Sequence, residues 1–385
     1  MVSRTVSHGG QPHTIMAIPL VIAFSLGFLS LPNRAVADGF TLMSETREIE
    51  TGKKLDEEIG RKMGFYTEPK LQAYVSDVVR RLVRAGSPRS FEYSVKIVDM
   101  AEENAFATVG GYVYVTRGML AQLASETELA GVMAHEISHI SHRHVAKQQT
   151  RALGYQLLGL GAMALGAMKG NADNNLGMAP LGVSAALATI LSSYNQEAEL
   201  EADESGLLMM AQAGYDPRGL VTFLRSLRMR ERLTGLGYHG MLATHPETAE
   251  RIAKAEIMAQ LLSSQRSFGD PGEEAYKSHL AGLPYGNRHD RLRLALYQVQ
   301  PGDTLAGIRQ AVMAPDEKAW EVARLNRLRS SDSLQAGMLL KIVVPDGRPV
   351  ALPQRRLDIG QDRPLSPPPP QPLPARRSRV PYPRN

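Results

Sequence analysis

Ser125-Glu-Thr-Glu-Leu-Ala-Gly-Val-Met-Ala-His-Glu-Ile-Ser-His139 is the stretch on which the fold of this chain turns. Ser125 and Glu128 stand at the S-x-x-E spacing of a helix capping box. Leu129, Val132 and Met133 follow at helical intervals. On a helix His135 and His139 lie about 40° apart in azimuth and about 6 Å apart along the axis, so both imidazoles reach one metal ion. Glu136 sits about 100° round from His135, beside such a metal rather than under it. A carboxylate there is placed to act as general base toward water in metal-assisted hydrolysis. A surface helix with scattered His and Glu would carry the same letters, so the metal reading needs a third ligand.

Downstream, the run from Glu197 to Gly206 supplies acids for it. A catalytic zinc commonly takes three protein ligands and keeps one position open. Glu199 and Asp203 are four apart on a second predicted helix, so Glu199 can bind metal while Asp203 accepts the free N–H of a ligand histidine. Spacing alone does not choose Glu199 over Glu197, Glu201 or Glu204.

His135-Glu-Ile-Ser-His139 followed some sixty residues later by Glu199-Leu-Glu-Ala-Asp-Glu-Ser-Gly206 resembles the gluzincin metallopeptidases of the HtpX and BepA type, bacterial relatives of the CAAX prenyl endopeptidases. Two further segments carry the resemblance. Asn104-Ala-Phe-Ala-Thr-Val-Gly-Gly-Tyr-Val-Tyr-Val115 is similar to the strand before the active helix, and His245-Pro-Glu-Thr-Ala-Glu-Arg251 to the family's H-P-x-x-x-x-R. Together they cover roughly residues 40 to 260. The resemblance implies one zinc ion held by His135, His139 and Glu199, with Glu136 as the catalytic base and Asp203 and Arg251 as supporting groups. It also places His245 at the active site, as an oxyanion donor or as occupant of the open zinc position in a resting state; a plain helix start before Pro246 is the alternative. Asn104, Ala105, Phe106 and Ala107 become an edge strand that binds substrate backbone by strand addition. Gln196 departs from the pattern, since relatives often carry Arg three residues before the ligand glutamate. On a continuing helix His142 would share the face of His135 a turn farther from the metal, and His144 would point to the far side. Both are read as structural or surface residues, with His142 alone within reach of the outer shell.

Residues 1–37 stand apart. Arg4 precedes an apolar run from Ile15 to Leu31, and Ala35-Val-Ala37 offers an A-x-A site. This reads as a secretory signal peptide cleaved after Ala37, with an uncleaved anchor as the competing reading. The segment removes only Arg4 and Arg34 and no acid, so the net charge falls from +5 to +3, too mild to argue for nucleic acid. The 385 residues contain no cysteine. That excludes a lipoprotein anchor, disulfides and thiolate ligands, and leaves an exported protein to be held by its core and its metal.

The rest divides by texture. Residues 38–262 are the peptidase domain, with helix-like charged segments over 45–86 and a strand over 91–98. Two apolar segments, Leu157–Met168 and Leu176–Leu191, are short or weak for a bilayer crossing and read as a buried helical hairpin packed on the catalytic core, with contact to a membrane or a cover over the cleft as the alternatives. Residues 263–294 read as a linker with a short amphipathic piece, and no 34-residue helical repeat of the kind BepA-type members carry is visible there. Within 295–346, Tyr297-Gln-Val-Gln-Pro-Gly-Asp-Thr-Leu305, Ala323-Arg-Leu-Asn-Arg-Leu328 and Leu334-Gln-Ala-Gly-Met-Leu-Leu-Lys-Ile-Val343 resemble a LysM module, a βααβ unit that binds N-acetylglucosamine polymers. The Pro- and Arg-rich tail, 347–385, reads as disordered.

The expected architecture is α+β, a mainly helical gluzincin domain with a small sheet plus the LysM-like unit. The expected function is a periplasmic zinc endopeptidase acting on misfolded or misassembled envelope proteins, with peptidoglycan as the candidate partner of the second module. A chaperone or wall-bound scaffold with restrained proteolysis is the alternative. Cleavage of lipid-modified peptides is weakened by the missing membrane spans.

Overall fold

The computed structural model describes residues 41, 43–152, 192, 194–234, 240–246, 248–269, 272–312, 319–328 and 334–347. The segment read as a signal peptide, the two apolar runs within 157–191 and the Pro- and Arg-rich tail beyond 347 lie outside the described residues.

The chain opens with two capped helices. Ser44 accepts from the Arg47 amide at the start of α1 (Glu45–Met63), and Glu68 accepts from the Lys70 and Leu71 amides at the start of α2 (Pro69–Gly86). Next come β1 (Ser94–Val98), β2 (Ala105–Ala107) and β3 (Tyr112–Thr116). β3 is central, parallel to β1 and antiparallel to β2, with Ile97 opposite Val115 and Phe106 opposite Tyr114. The stretch from Asn104 to Val115, expected as a strand, is thus a hairpin. Gly110 and Gly111 turn it at φ 79° and 98°, where a Cβ on Gly110 would meet the Glu48 carbonyl oxygen at 2.7 Å.

α3 (Arg117–Gln122) leads into α4 (Glu126–Ser141), the predicted HExxH helix. Ser125 caps it by accepting from the Glu128 amide at 3.2 Å. Glu128 reaches back one residue farther than a standard capping box, to the Ala124 amide at 2.8 Å. Glu126, also in the first turn, accepts from Tyr74 Oη, Tyr215 Oη and Arg81. Two acids at a helix start complement its dipole, and here both are pinned by other elements. Every residue from Glu126 to Ile140 is buried. The sequence pattern predicts one apolar stripe, but α4 is enclosed on all sides, as a central helix must be.

α5 (Gln196–Gln212) packs on α4, with α6 (Arg218–Thr234), α7 (Met241–Thr244) and α8 (Ala249–Gln265) completing the domain. The main core joins α2, one sheet face, α4, α5, α6 and α8. Leu55, Ile59, Phe106 and Tyr114 form a second core on the opposite sheet face. The architecture is α+β, as the sequence predicts.

Residues 263–294 require a correction, because their second half is not a linker. It contains α9 (Glu273–His279) and β4 (Pro284–Tyr285). Tyr276, Leu280 and Leu283 are at most 2% exposed, and Tyr276 Oη donates to the Leu120 carbonyl at 2.7 Å. β4 pairs with β5 (Leu292–Gln298), which runs antiparallel to β6 (Leu339–Pro345). With α10 (Leu305–Val312) and α11 (Ala319–Leu325) between β5 and β6, the module is the expected βααβ with one extra strand. Its Pro301-Gly-Asp-Thr304 loop is knit locally. Asp303 accepts from Tyr297 Oη and the Gln300 amide, and Thr304 caps α10.

This module is bolted to the start of the HExxH helix. Arg327 makes two hydrogen bonds to Glu128, and Arg324 pairs with Gln122 and Glu103. Lys341, fully buried, donates to the Ala121 and Leu123 carbonyls at 2.7 and 2.6 Å. These carbonyls lie at the end of α3, where helices leave acceptors unsatisfied.

Candidate metal centre

Three elements bring the predicted ligands together. α4 presents His135 and His139, α5 presents Glu199, and the residue after α7 is His245. All four are at most 1% exposed, and their ligand atoms lie within 4.8 Å of one another. His135 Nε2 is 3.0 Å from His139 Nε2, 3.3 Å from His245 Nδ1 and 3.5 Å from Glu199 Oε2. Glu199 Oε1 is 3.0 Å from His245 Nδ1 and 3.5 Å from His139 Nε2. Tetrahedral N and O donors at about 2.0–2.1 Å from a divalent ion stand about 3.3–3.4 Å apart. The cluster therefore fits a small tetrahedral metal, with His245 in the fourth place.

Glu136 faces the same space. It is fully buried, and neither carboxylate oxygen has a hydrogen-bond partner. His245 Nε2 stands 3.4 Å from Oε1. Burial raises the Glu136 pKa, opposed by the imidazoles of His245 and His135. Burial would raise Glu199 too, but His245, His135 and Arg251 hold it well below the usual carboxylate range.

Asp203 and Arg251 lie against these candidate ligands. Asp203 Oδ1 lies 2.9 Å from His135 Nδ1. Arg251 grips Asp203 through Nε and Nη2 at 2.7 and 2.8 Å, and its Nη1 lies 2.6 Å from Glu199 Oε2. Gln196, by contrast, is exposed and bonds Glu250. The guanidinium of this site is Arg251, and the departure at Gln196 leaves the site's polar contacts intact.

Of the predicted substrate strand, Asn104 lies beside the α7 turn, its Oδ1 3.4 Å from Thr244 Oγ1, while Met241 N donates to the Glu103 carbonyl. Ala105, Phe106 and Ala107 form the edge of the sheet but are at most 3% exposed. The edge is covered in this conformation.

His144 requires a second correction. It does not point away. α4 ends at Ser141, His142 caps it, Arg143 turns at φ 57°, and helix resumes over 144–152. His144 is thereby 5% exposed, with Nδ1 2.8 Å from His139 Nδ1 and Nε2 2.9 Å from Glu201 Oε2. Burial lowers its pKa to about 4 against the pull of Glu201. Tyr194, which sequence reading also missed, stacks on His139 at 4.1 Å between ring centroids. A cavity of 760 Å³ opens on this side, lined by His144, Lys147, Tyr194, Glu201 and Lys254 among others. No helix among the described residues is long and apolar enough to cross a membrane.

Comparison with known proteins accords with this arrangement. Residues 297–343 match the LysM domain. The beta-barrel assembly-enhancing protease of Escherichia coli (strain K12) is 31% identical over 241 residues, covering 62% of this chain and 48% of that protein. The mitochondrial metalloendopeptidase OMA1 of Schizosaccharomyces pombe is 28% identical over 255 residues, 65% of this chain and 72% of its own length. A protease HtpX homolog of Burkholderia thailandensis is 31% identical over 219 residues, 48% of this chain and 73% of its own. The match spans about half the length of the Escherichia coli relative. Residues 67–259, half of the chain and the range that holds the whole metal cluster, match the profile of Peptidase family M48, and to that family this chain belongs.

Proposed function

We propose that this chain is a zinc endopeptidase that cleaves misfolded or misassembled envelope proteins in the periplasm. The observation that carries the reading is Glu136, a fully buried carboxylate with no hydrogen-bond partner beside a four-donor cluster. His135, His139 and Glu199 would hold zinc, with His245 as fourth donor in this conformation. When bound, zinc supplies the Lewis-acid polarisation that makes water a competent nucleophile at neutral pH.

Glu136 takes the proton of the attacking water and returns it to the leaving amine. Its burial favours the protonated form, which suits the second transfer. Asp203 orients His135, and Arg251 balances the charge of Asp203 and Glu199. His245 stands between the donors and Glu136, so substrate entry requires it to move. The α7 turn, fastened at Glu103 and Asn104, moves with it. Residues 104–107 then offer an edge that recognises extended main chain rather than side chains, which suits unfolded clients.

The name of the Escherichia coli relative and the LysM-type module support an envelope setting. Residues 1–37 are proposed as the signal peptide, cleaved after Ala37, and peptidoglycan as the module's ligand. The closed position of His245 also favours a second reading, a scaffold whose proteolysis is restrained. Glu136→Gln tests the first. Zinc content should match the parent, while turnover of an unfolded test protein should fall about 10²–10⁴-fold. Parental turnover in this variant would sink the mechanism, and an absence of chelator-sensitive proteolysis in the parent would favour the scaffold.

A further inference from the structure

His139 turns its two ring nitrogens to different neighbours. Nε2 faces His135 and Glu199, and Nδ1 faces His144 Nδ1. With both rings neutral, the protons along the chain from His139 to Glu201 have one consistent arrangement. The ionised carboxylate of Glu201 only accepts, so His144 carries its proton on Nε2 and donates it there. His144 Nδ1 is then a bare acceptor, and His139 must donate to it from Nδ1. That leaves a free lone pair on His139 Nε2, the form a metal ligand needs.

We propose that His144 and Glu201 are positioning residues that lock His139 in its metal-ligating tautomer and ring orientation. The inference rests on the metal site proposed above. It gives the two ligand histidines unlike supports. His135 is held by a buried carboxylate, Asp203, itself neutralised by Arg251. His139 is held by a neutral ring whose own anchor, Glu201, has a side chain 46% exposed and shared with His142 Nδ1 at 3.0 Å. Tyr194 backs the His139 ring from its face, so hydrogen bond and stacking fix tilt and rotation separately.

The test compares zinc affinity by chelator competition and the visible spectrum of the cobalt-substituted protein across full-length variants. His144→Leu removes the acceptor and should weaken zinc binding about 10–100-fold, with an altered cobalt spectrum. His144→Asn puts an amide oxygen near the Nδ1 position and should restore both, which a role confined to packing would not predict. Glu201→Ala should shift both readouts in the direction of His144→Leu, and Glu201→Gln, still an acceptor, should not. Because Glu201 is exposed, that pair decides the matter even if His144→Leu fails to fold. Parental affinity and spectrum in both His144→Leu and Glu201→Ala would overturn the relay. His139→Ala separates the two levels: if it keeps parental zinc affinity, the metal site itself is wrong and the relay falls with it.

Discussion

Gly206 lies where the two helices that carry the proposed ligands touch. A Cβ there would stand 3.2 Å from the His135 amide nitrogen, 3.3 Å from the Ala134 carbonyl carbon and 3.4 Å from His135 Cα. Relaxed carbon contacts lie at about 3.5–4.0 Å. All three neighbours are backbone atoms of α4, so no side chain can turn aside, and α4 and α5 must part by a few tenths of an ångström. For the fold this is a near balance. Alanine in place of glycine gains about 1 kcal/mol of helix propensity, and mild overpacking costs about 1–3 kcal/mol. The metal site is less tolerant, since its donors must be held within about 0.5 Å. Glu199 lies two turns before Gly206 on α5, and His135 is on the far side of the contact. Gly206→Ala should therefore keep its melting behaviour close to the parent yet bind zinc about 10-fold more weakly, and Gly206→Val about 100-fold more weakly. Chelator competition beside circular-dichroism melting reads both quantities. Parental zinc affinity in a folded Gly206→Val would refute the claim that this helix contact sets the ligand geometry.

His245→Ala opens the fourth donor position and frees Glu136, so hydrolysis of a short unfolded substrate should rise while zinc is retained; unchanged or lower turnover at full zinc occupancy would contradict a blocking role. The metal-free protein should lose stability as pH falls from 6.5 to about 4, because the unfolded chain takes up the His144 proton first, folded His144 titrating only at about 4. The loss from this group is about 3 kcal/mol, and urea titrations should show a shallower decline for His144→Asn over the same interval. Arg327→Ala leaves the buried Glu128 without its charged partner and should cost about 1–3 kcal/mol, seen by calorimetry as a lower midpoint of one shared transition; separate transitions with the peptidase one unmoved would count against docking.

How much of this was legible depends on the range of the signal. HExxH reads directly because the geometry of residues four apart on a helix is local. Glu199 could not be chosen from its acidic neighbours by ligand spacing, yet a second pattern singles it out. Glu199, Ala202, Asp203 and Gly206 recur at the helical interval and are all buried, while Glu197, Glu201 and Glu204 are exposed. Small residues on the glutamate's own face mark the side that meets α4. The α9 segment had a similar signal in Tyr276, Leu280 and Leu283, masked by the glycines and prolines around it. His144 had none. Arg143 enters the left-handed region with neither Gly nor Pro to announce it, so ideal-helix geometry carried His144 to the wrong side. The burial of the edge at 105–107 was equally hidden, because it is set by packing against the HExxH helix, far from it in the sequence.

The buried Lys341 and the arginines beside it have a consequence for reach. Modules joined by a flexible linker search a volume set by linker length, and the local concentration of one about the other follows from it. Here no such volume exists: the small module meets the peptidase domain through Lys341 of its sheet and through Arg324 and Arg327 of its second helix and the turn after it. Whatever the small module grips is held at one distance and one angle from the HExxH helix. A surface it bound would act as a fixed wall of the workplace rather than a mooring post, admitting clients only from the directions that remain open.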